Sequence, residues 1–317
     1  MNNKCLYCYK PLLSGEKDYH SHCSRKFFGT EVPPLLPYSI EDITALANQI
    51  VLKGETVPGV QPKLSLEVVK EAVNNQVENR LTIIGVLGGH YIFKPPSVSY
   101  SQMPENEHLT MLMAKEIFKL DTADSTLVRL QSGELGYLTK RMDRTLRGEK
   151  LHMLDMFQVL DAYDKYVGSM EKIGKAIKEY TDSPLLNLAE YFQLVLFCFL
   201  TGNNDMHLKN FSFLSKEKSL WELAPAYDLL NATIVNPEDT EELALTLNAK
   251  KRRIKRKDFM VFGQNLGLTE RQIESRFSAF AKYIPAAFSF INESFLSHQN
   301  KKLYQALLAQ RWAILSS

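Results

Sequence analysis

The stretch Gly202-Asn203-Asn204-Asp205-Met206-His207-Leu208-Lys209-Asn210 crowds amides, a carboxylate, an imidazole and an ammonium into nine positions. It follows an apolar run, 189–200, long enough for a buried helix. It precedes Phe211-Ser212-Phe213-Leu214, which alternates like a strand. Folding alone needs no such polar cluster between two core elements, and reactive groups commonly sit on loops held by rigid elements. Asp205 and Asn210 stand in the pattern D-x-x-x-x-N. In phosphoryl transfer to a hydroxyl, an Asp at that interval takes the proton and the Asn binds a metal. A further carboxylate is then needed on the metal, and Ala224-Pro225-Ala226-Tyr227-Asp228 offers one. Between the two lie an alternating segment, a polar Lys216-Glu217-Lys218 turn and an apolar segment at 220–223. That pattern predicts a β-hairpin whose exit carries Asp228 back beside Asp205. Taken singly, either Asp also reads as a turn cap or a solvated loop acid.

The elements that would position this cluster come next. The chain has 317 residues, 45% hydrophobic and 23% charged, with a net charge of +2. Length and composition suit a globular protein of two lobes, and no global field marks a nucleic-acid binder. The apolar runs are too short to predict a transmembrane helix. The start of the chain has no secretory h-region, and four cysteines are too few for a disulfide scaffold. The expectation is a reduced, cytoplasmic setting.

Three of the cysteines lie at the start, as Cys5-x-x-Cys8 and His20-x-x-Cys23. Two short-spaced pairs can close a structural Zn²⁺ site; the alternative is a surface segment of reduced thiols. His22 is the weaker ligand candidate. Residues 33–37 read as a linker and 40–51 as a helix. A loop rich in glycine and proline, 54–63, ends in Lys63 and leads into a strand, which suits a flap over phosphates but matches neither a Walker loop nor G-x-G-x-x-G. A strand over 81–87 and a Gly88-Gly89 turn precede His90-Tyr91-Ile92-Phe93-Lys94, an apolar run ending in lysine. A strand lysine of this kind holds the α- and β-phosphates in a kinase and pairs with a helix glutamate. The helix opening at 105–107 provides Glu107, which also reads as a first-turn acid favoured by the helix dipole. Segments 125–131 and 135–141 predict another hairpin, leading into Lys140-Arg141-Met142-Asp143-Arg144. From 154 onward the pattern is helical, over 154–163, 169–180 and 185–200. Strands first and helices later define an α+β class, a bilobal kinase-like fold with a β-rich N-lobe and a helical C-lobe. The expected boundaries are 1–37, 38–144 and 145–317. The run 250–257 holds seven cations in eight positions; with no aromatic interleaved, a solvated helix entry is the favoured reading over a nucleic-acid contact.

The ordered motifs resemble the HipA-type serine/threonine kinases, toxins of bacterial toxin–antitoxin systems, and more closely the short HipT members. The anchors are Gly59-Val60-Gln61-Pro62-Lys63-Leu64, Tyr91-Ile92-Phe93-Lys94-Pro95, Asn106-Glu107 with Met113-Ala114-Lys115-Glu116, the 140–144 segment, the 202–210 stretch and Pro225-Ala226-Tyr227-Asp228. The resemblance implies ATP and Mg²⁺ as cofactors. It makes Asp205 the catalytic base, assisted by His207 and Lys209. Asn210 and Asp228 become magnesium ligands and Lys94 the phosphate-binding lysine. Lys140 and Met142 fall in the hinge that meets adenine. It also implies self-phosphorylation in the 54–63 loop, where Thr56 stands at the family's serine position and Pro58 replaces a second serine of HipT. HipS-like and HipB-like antitoxin partners follow from it, with DNA reached only through the HipB-like protein, and a translation component such as an aminoacyl-tRNA synthetase as target. Rival readings are an inactive, partner-binding HipA relative, a small-molecule kinase and a zinc-bearing nucleic-acid binder. The intact Lys94, Asp205, Asn210 and Asp228 favour catalysis.

Overall fold

The computed structural model of the chain describes residues 3–52, 62–73, 76–85, 88–97, 99–145, 147–217 and 220–317. It divides into two compact units. One comprises Met1–His108, Ala123–Gly148 and Glu293–Phe295; the other comprises Leu109–Thr122, Glu149–Asn292 and Leu296–Ser317. The first is rich in strands and the second in helices, the α+β class that the sequence predicts.

The first unit is built on a five-stranded antiparallel sheet in the order β2-β1-β3-β5-β4. Its strands are β1 Leu64–Val73, β2 Gln76–Gly85, β3 Tyr91–Lys94, β4 Ser125–Arg129 and β5 Leu135–Lys140. Helices α1 (Ser21–Phe28) and α2 (Ile40–Leu52) precede the sheet. Short β3 lies in the middle, pairing with β1 and β5, and Tyr91, Phe93 and Lys94 are all buried. Gly136 permits this: a Cβ there would meet the Phe93 ring at 2.2 Å. Helix α3 (Met103–Glu116) starts in this unit.

The second unit is organised by α6 (Pro184–Thr201), with buried side chains on every face. Pro184 suits the first helical position, where its missing N–H is not needed. Phe192 stacks on Phe262, and Phe199 meets Phe259 edge-on. Each such ring removed from water contributes about 1.5–3 kcal/mol. Among described helices α6 alone is long and apolar enough to cross a membrane, and 72% of it is buried within the fold. Helices α4 (Met156–Val159), α5 (Met170–Tyr180), α7 (Ala232–Val235), α8 (Arg256–Asn265), α9 (Glu270–Glu293) and α10 (His298–Ser316) complete the helical set. A three-stranded antiparallel sheet, β6-β7-β8, joins β6 His152–Asp155 to the hairpin of β7 Ser212–Glu217 and β8 Leu220–Leu223.

The helix expected over 154–163 is therefore mostly replaced. Its first residues pair with β7, Leu154 opposite Phe213. The Asp155 carboxylate then accepts from Gln158 N, while the Gln158 side chain accepts from Asp155 N. This capping box sets the helix start at Met156. The last stretch of the chain forms α9 and α10, the second opened by Ser297, whose side chain accepts from Asn300 N.

The basic run 250–257 leads into α8, which begins at Arg256. Lys251 pairs with Glu241 and Arg256 with Glu274, while Ile254 is buried. Asp258 is fully buried and accepts from Lys250 Nζ at 2.6 Å, Asn248 Nδ2 at 2.8 Å and Lys255 N at 2.9 Å. Burial pushes its carboxyl upward, but the Lys250 and Asn248 hydrogen bonds outweigh that and hold it below the ordinary range. Asp258→Ala should cost about 1–3 kcal/mol by chemical denaturation at neutral pH. A lowered folded-state value gives stability that is present above the unfolded value of about 3.9 and lost as pH falls through the folded one. The wild-type advantage over Asp258→Ala should thus shrink in acid titrations below about pH 3.9.

Candidate active site

Helix α6 stops at Gly202, which takes a left-handed φ of 68°. A side chain there would strike Leu307 and Thr233, at 2.3 and 2.9 Å, so only glycine both turns the chain and fits. Thr233 ties down the turn, its N and Oγ1 both donating to the Gly202 carbonyl. Met206 and Leu208 are buried as apolar anchors, while Asp205 between the buried asparagines and Met206 is half-buried. Asn203 Oδ1 accepts from Asp205 N at 3.4 Å, and Asn204 Nδ2 donates to the Glu241 carbonyl at 3.1 Å.

The five-residue interval has a physical basis. Asn210 Nδ2 donates back to the Asp205 carbonyl at 3.0 Å, closing a loop through the 3₁₀ turn Leu208–Asn210. With its amide nitrogen so engaged, Asn210 offers Oδ1 as an acceptor. Asp228 sits at φ 55°, a conformation that Asp tolerates better than most residues. Its segment is fixed by Ala226 N donating to the Asp121 carbonyl and Ala224 N to Ser212 O. Tyr227 OH donates to the Lys209 carbonyl at 2.8 Å and lies 2.5 Å from Ser212 Oγ. Tyr227 thereby fastens the Asp228 segment to the residue before Asn210. Two oxygen-donor side chains, Asn210 and Asp228, match what a hard divalent cation takes.

His207 is buried, with Nδ1 lacking a hydrogen-bond partner among the described residues. Burial drives its pKa down; the charge of Asp205 raises it, Lys165 lowers it and Asp228 raises it, and the balance is downward. His207 therefore stays neutral near pH 7 and feels both carboxylates. Lys209 is exposed, its Nζ 4.7 Å from the centroid of the Phe157 ring.

Tyr166 is the residue that sequence reasoning missed. Its hydroxyl donates to Asp205 Oδ1 at 2.8 Å, and its ring meets His207 edge-on. Burial and the Asp205 charge push the phenol pKa up, keeping it a donor. It lies in 164–168, a connection between predicted helices; the one available signal was its cluster of Asp164, Lys165 and Tyr166.

In the strand-rich unit, Lys94 Nζ meets Glu107 Oε1 at 2.6 Å, both side chains buried. Lys94 also lies 5.5 Å from the Tyr137 ring centroid. Lys63 is exposed immediately before β1, while Thr56 and residues 54–61 lie outside the described residues. Lys140 does not extend freely: its Nζ donates to the Lys26 carbonyl and lies over the Phe27 ring. Met142 is half-buried in the turn beyond β5. There Arg141 grips Asp143 through two hydrogen bonds, joined by Arg144 at 2.6 Å. Burial raises the Asp143 pKa, but the Arg141 contact overrides it and the net direction is down. Cys5, Cys8, His20 and Cys23 gather in one cluster, their ligand atoms all within 4.8 Å of one another.

The HipA-like C-terminal domain matches residues 56–288 of this sequence. A Haemophilus influenzae protein provisionally named a kinase is 29% identical over 306 residues, spanning 86% of this chain and 85% of its own. The serine/threonine-protein kinase toxin HipA of Shewanella oneidensis is 26% identical over 257 residues, spanning 74% of this chain and 56% of that protein. Among solved structures, the Shewanella oneidensis complex of HipA, HipB and operator DNA aligns with a TM-score of 0.63 at 21% identity, covering 85% of this chain and 70% of the other. The Helicobacter pylori proinflammatory kinase CtkA aligns with a TM-score of 0.52 at 15% identity, covering 80% and 94%. With its β-rich and helical units, its phosphoryl-transfer residue pattern and a domain match over most of its length, the chain belongs to the HipA-type kinase family.

Proposed function

We propose that this chain is an ATP-dependent serine/threonine protein kinase of the HipT-like toxin type. The observation that carries the reading is the Asn210 side chain fastened to the Asp205 main chain. A proton acceptor and a metal-binding amide are thereby held at the interval that phosphoryl transfer uses. The Lys94–Glu107 pair in the strand-rich unit supports it independently. Lys94, paired with Glu107, would meet the α- and β-phosphates of ATP. Asn210 and Asp228 would hold Mg²⁺, which when bound neutralises charge developing on the phosphates. Asp205, oriented by Tyr166, takes the proton of a serine or threonine hydroxyl. That oxygen bonds to the γ-phosphorus as the bond to the β-phosphate oxygen breaks, and ADP leaves. Lys209, exposed beside the turn, steadies the γ-phosphate. Backbone groups at Lys140 and Met142 would meet adenine, and Lys63 would meet the phosphates.

By the same family relationship, the protein substrate is a component of translation, such as an aminoacyl-tRNA synthetase, and the chain works in the cytoplasm. Its partners are HipS-like and HipB-like antitoxins. The solved HipA relative stands in a complex with HipB and operator DNA, which supports a HipB-like partner that carries the DNA contact. Self-phosphorylation on Thr56 silences the enzyme, because about −2 charge there repels the phosphates of ATP.

Wild-type protein incubated with ATP and Mg²⁺ should carry phosphate on Thr56 by mass spectrometry; phosphate elsewhere and never on Thr56 contradicts the off-switch. Lys94→Met should lower kcat about 10²-fold and raise the KM for ATP, with Glu107→Gln moving both in the same direction. Tyr166→Phe should lower kcat roughly 2- to 12-fold, the worth of one hydrogen bond, without changing the KM for ATP. An unchanged kcat would remove Tyr166 from the orientation of Asp205.

A further inference from the structure

The N-terminal segment holds a second built site. Cys5, Cys8, His20 and Cys23 come from a turn and from the start of α1, yet their three sulfurs and one nitrogen converge within 4.8 Å. His20 Nδ1 lies 3.5 Å from Cys8 Sγ and 3.6 Å from Cys23 Sγ. A tetrahedral zinc with Zn–S of about 2.3 Å and Zn–N of about 2.0–2.1 Å requires an S···N separation of about 3.5 Å. The single Nδ1 lone pair faces two thiols at once and can accept from only one; a shared cation resolves this. The other ring nitrogen, Nε2, lies 2.9 Å from the Pro11 carbonyl. Donation there fixes the tautomer that leaves Nδ1 as a ligand, the outer contact that metal-binding histidines make. Cys5, Cys23 and His20 are buried, and all three cysteines are free of disulfides. Tyr9, just after Cys8, is held at φ 65° although buried and bulky, a costly backbone state that persists only where its surroundings over-determine it.

We propose that Cys5, Cys8, His20 and Cys23 form a closed, structural zinc site. Four protein ligands leave no open position for chemistry. What the site organises is visible around it. Leu6, between the first two cysteines, accepts from Leu127 N through its carbonyl at 3.3 Å. Tyr19, beside His20, donates its hydroxyl to the Leu127 carbonyl. Tyr9 OH meets His108 Nδ1 at 2.9 Å, one residue from Glu107. The metal thus pins the N-terminal segment to β4 and to α3. His22 is exposed and stacks on His20, its Nε2 3.3 Å from Cys23 Sγ; His20, with its nitrogen between two sulfurs, is the ligand.

Full-length protein purified without added metal should contain about one zinc per chain by elemental analysis. Chelation should lower its melting temperature and expose the thiols of Cys5, Cys8 and Cys23 to a thiol reagent, and zinc should reverse both. Cobalt in place of zinc should give the d–d bands of a tetrahedral thiolate site. Cys8→Ser should lose the metal, whereas His22→Ala should keep it. Should Cys8→Ser fail to fold, chelation and cobalt spectra of the wild type decide alone. Zinc-free protein with thiols equally reactive before and after chelation, a disulfide among these cysteines, iron in place of zinc, or metal retained by His20→Ala but lost from His22→Ala would each overturn the assignment.

Discussion

The burial of α6 on all its faces is the constraint from which the candidate site follows. A helix packed against Phe259, Phe262 and Phe277 through its own phenylalanines can neither slide nor rotate without opening voids. Its end is therefore fixed, and Gly202 turns the chain at one place only. Everything after that turn inherits the precision. Met206 and Leu208 sink into the core, Asp205 is left half-buried, and Asn210 closes the loop onto Asp205. The polar cluster is rigid because its neighbours are apolar.

Electrostatics then distinguish the members of the cluster. His207 is kept neutral by burial against the pull of two carboxylates. Tyr166 remains a proton donor because burial and the Asp205 charge both oppose its ionisation. The Tyr166 phenol, held as a donor, fixes the orientation of the Asp205 carboxylate. In the strand-rich unit the logic is reversed. Lys94 and Glu107 are buried together, and breaking a buried ion pair by removing one partner typically costs about 3–5 kcal/mol. Such a pair is held by mutual need as well as by any role toward phosphate.

Much of this was legible in the sequence, for identifiable reasons. The D-x-x-x-x-N interval, the strand lysine and the helix glutamate are local patterns with fixed spacing, and strands and helices segregate along the chain. Glu107 could be read as a dipole-favoured acid until its contact with Lys94 was seen. What was not legible depends on contacts between distant segments. Tyr166 touches Asp205 from 39 positions away, and no periodicity marks it. The second half of β6, Leu154 and Asp155, was read as helix because its pairing with β7 lies outside its own sequence. The side chain of Lys140 is directed at Phe27 of α1, a contact that needs the fold of the N-terminal segment.

In the proposed mechanism, Asp205 is the base of a phosphoryl transfer. Its most direct test is transfer of label from γ-labelled ATP with Mg²⁺, on wild type and Asp205→Ala side by side, with equal melting temperatures confirming that both are folded. Wild type should label protein, and the variant should lose about 10²–10⁴ in rate. Equal labelling of both, or none in a folded wild type that carried no phosphate beforehand, would contradict it.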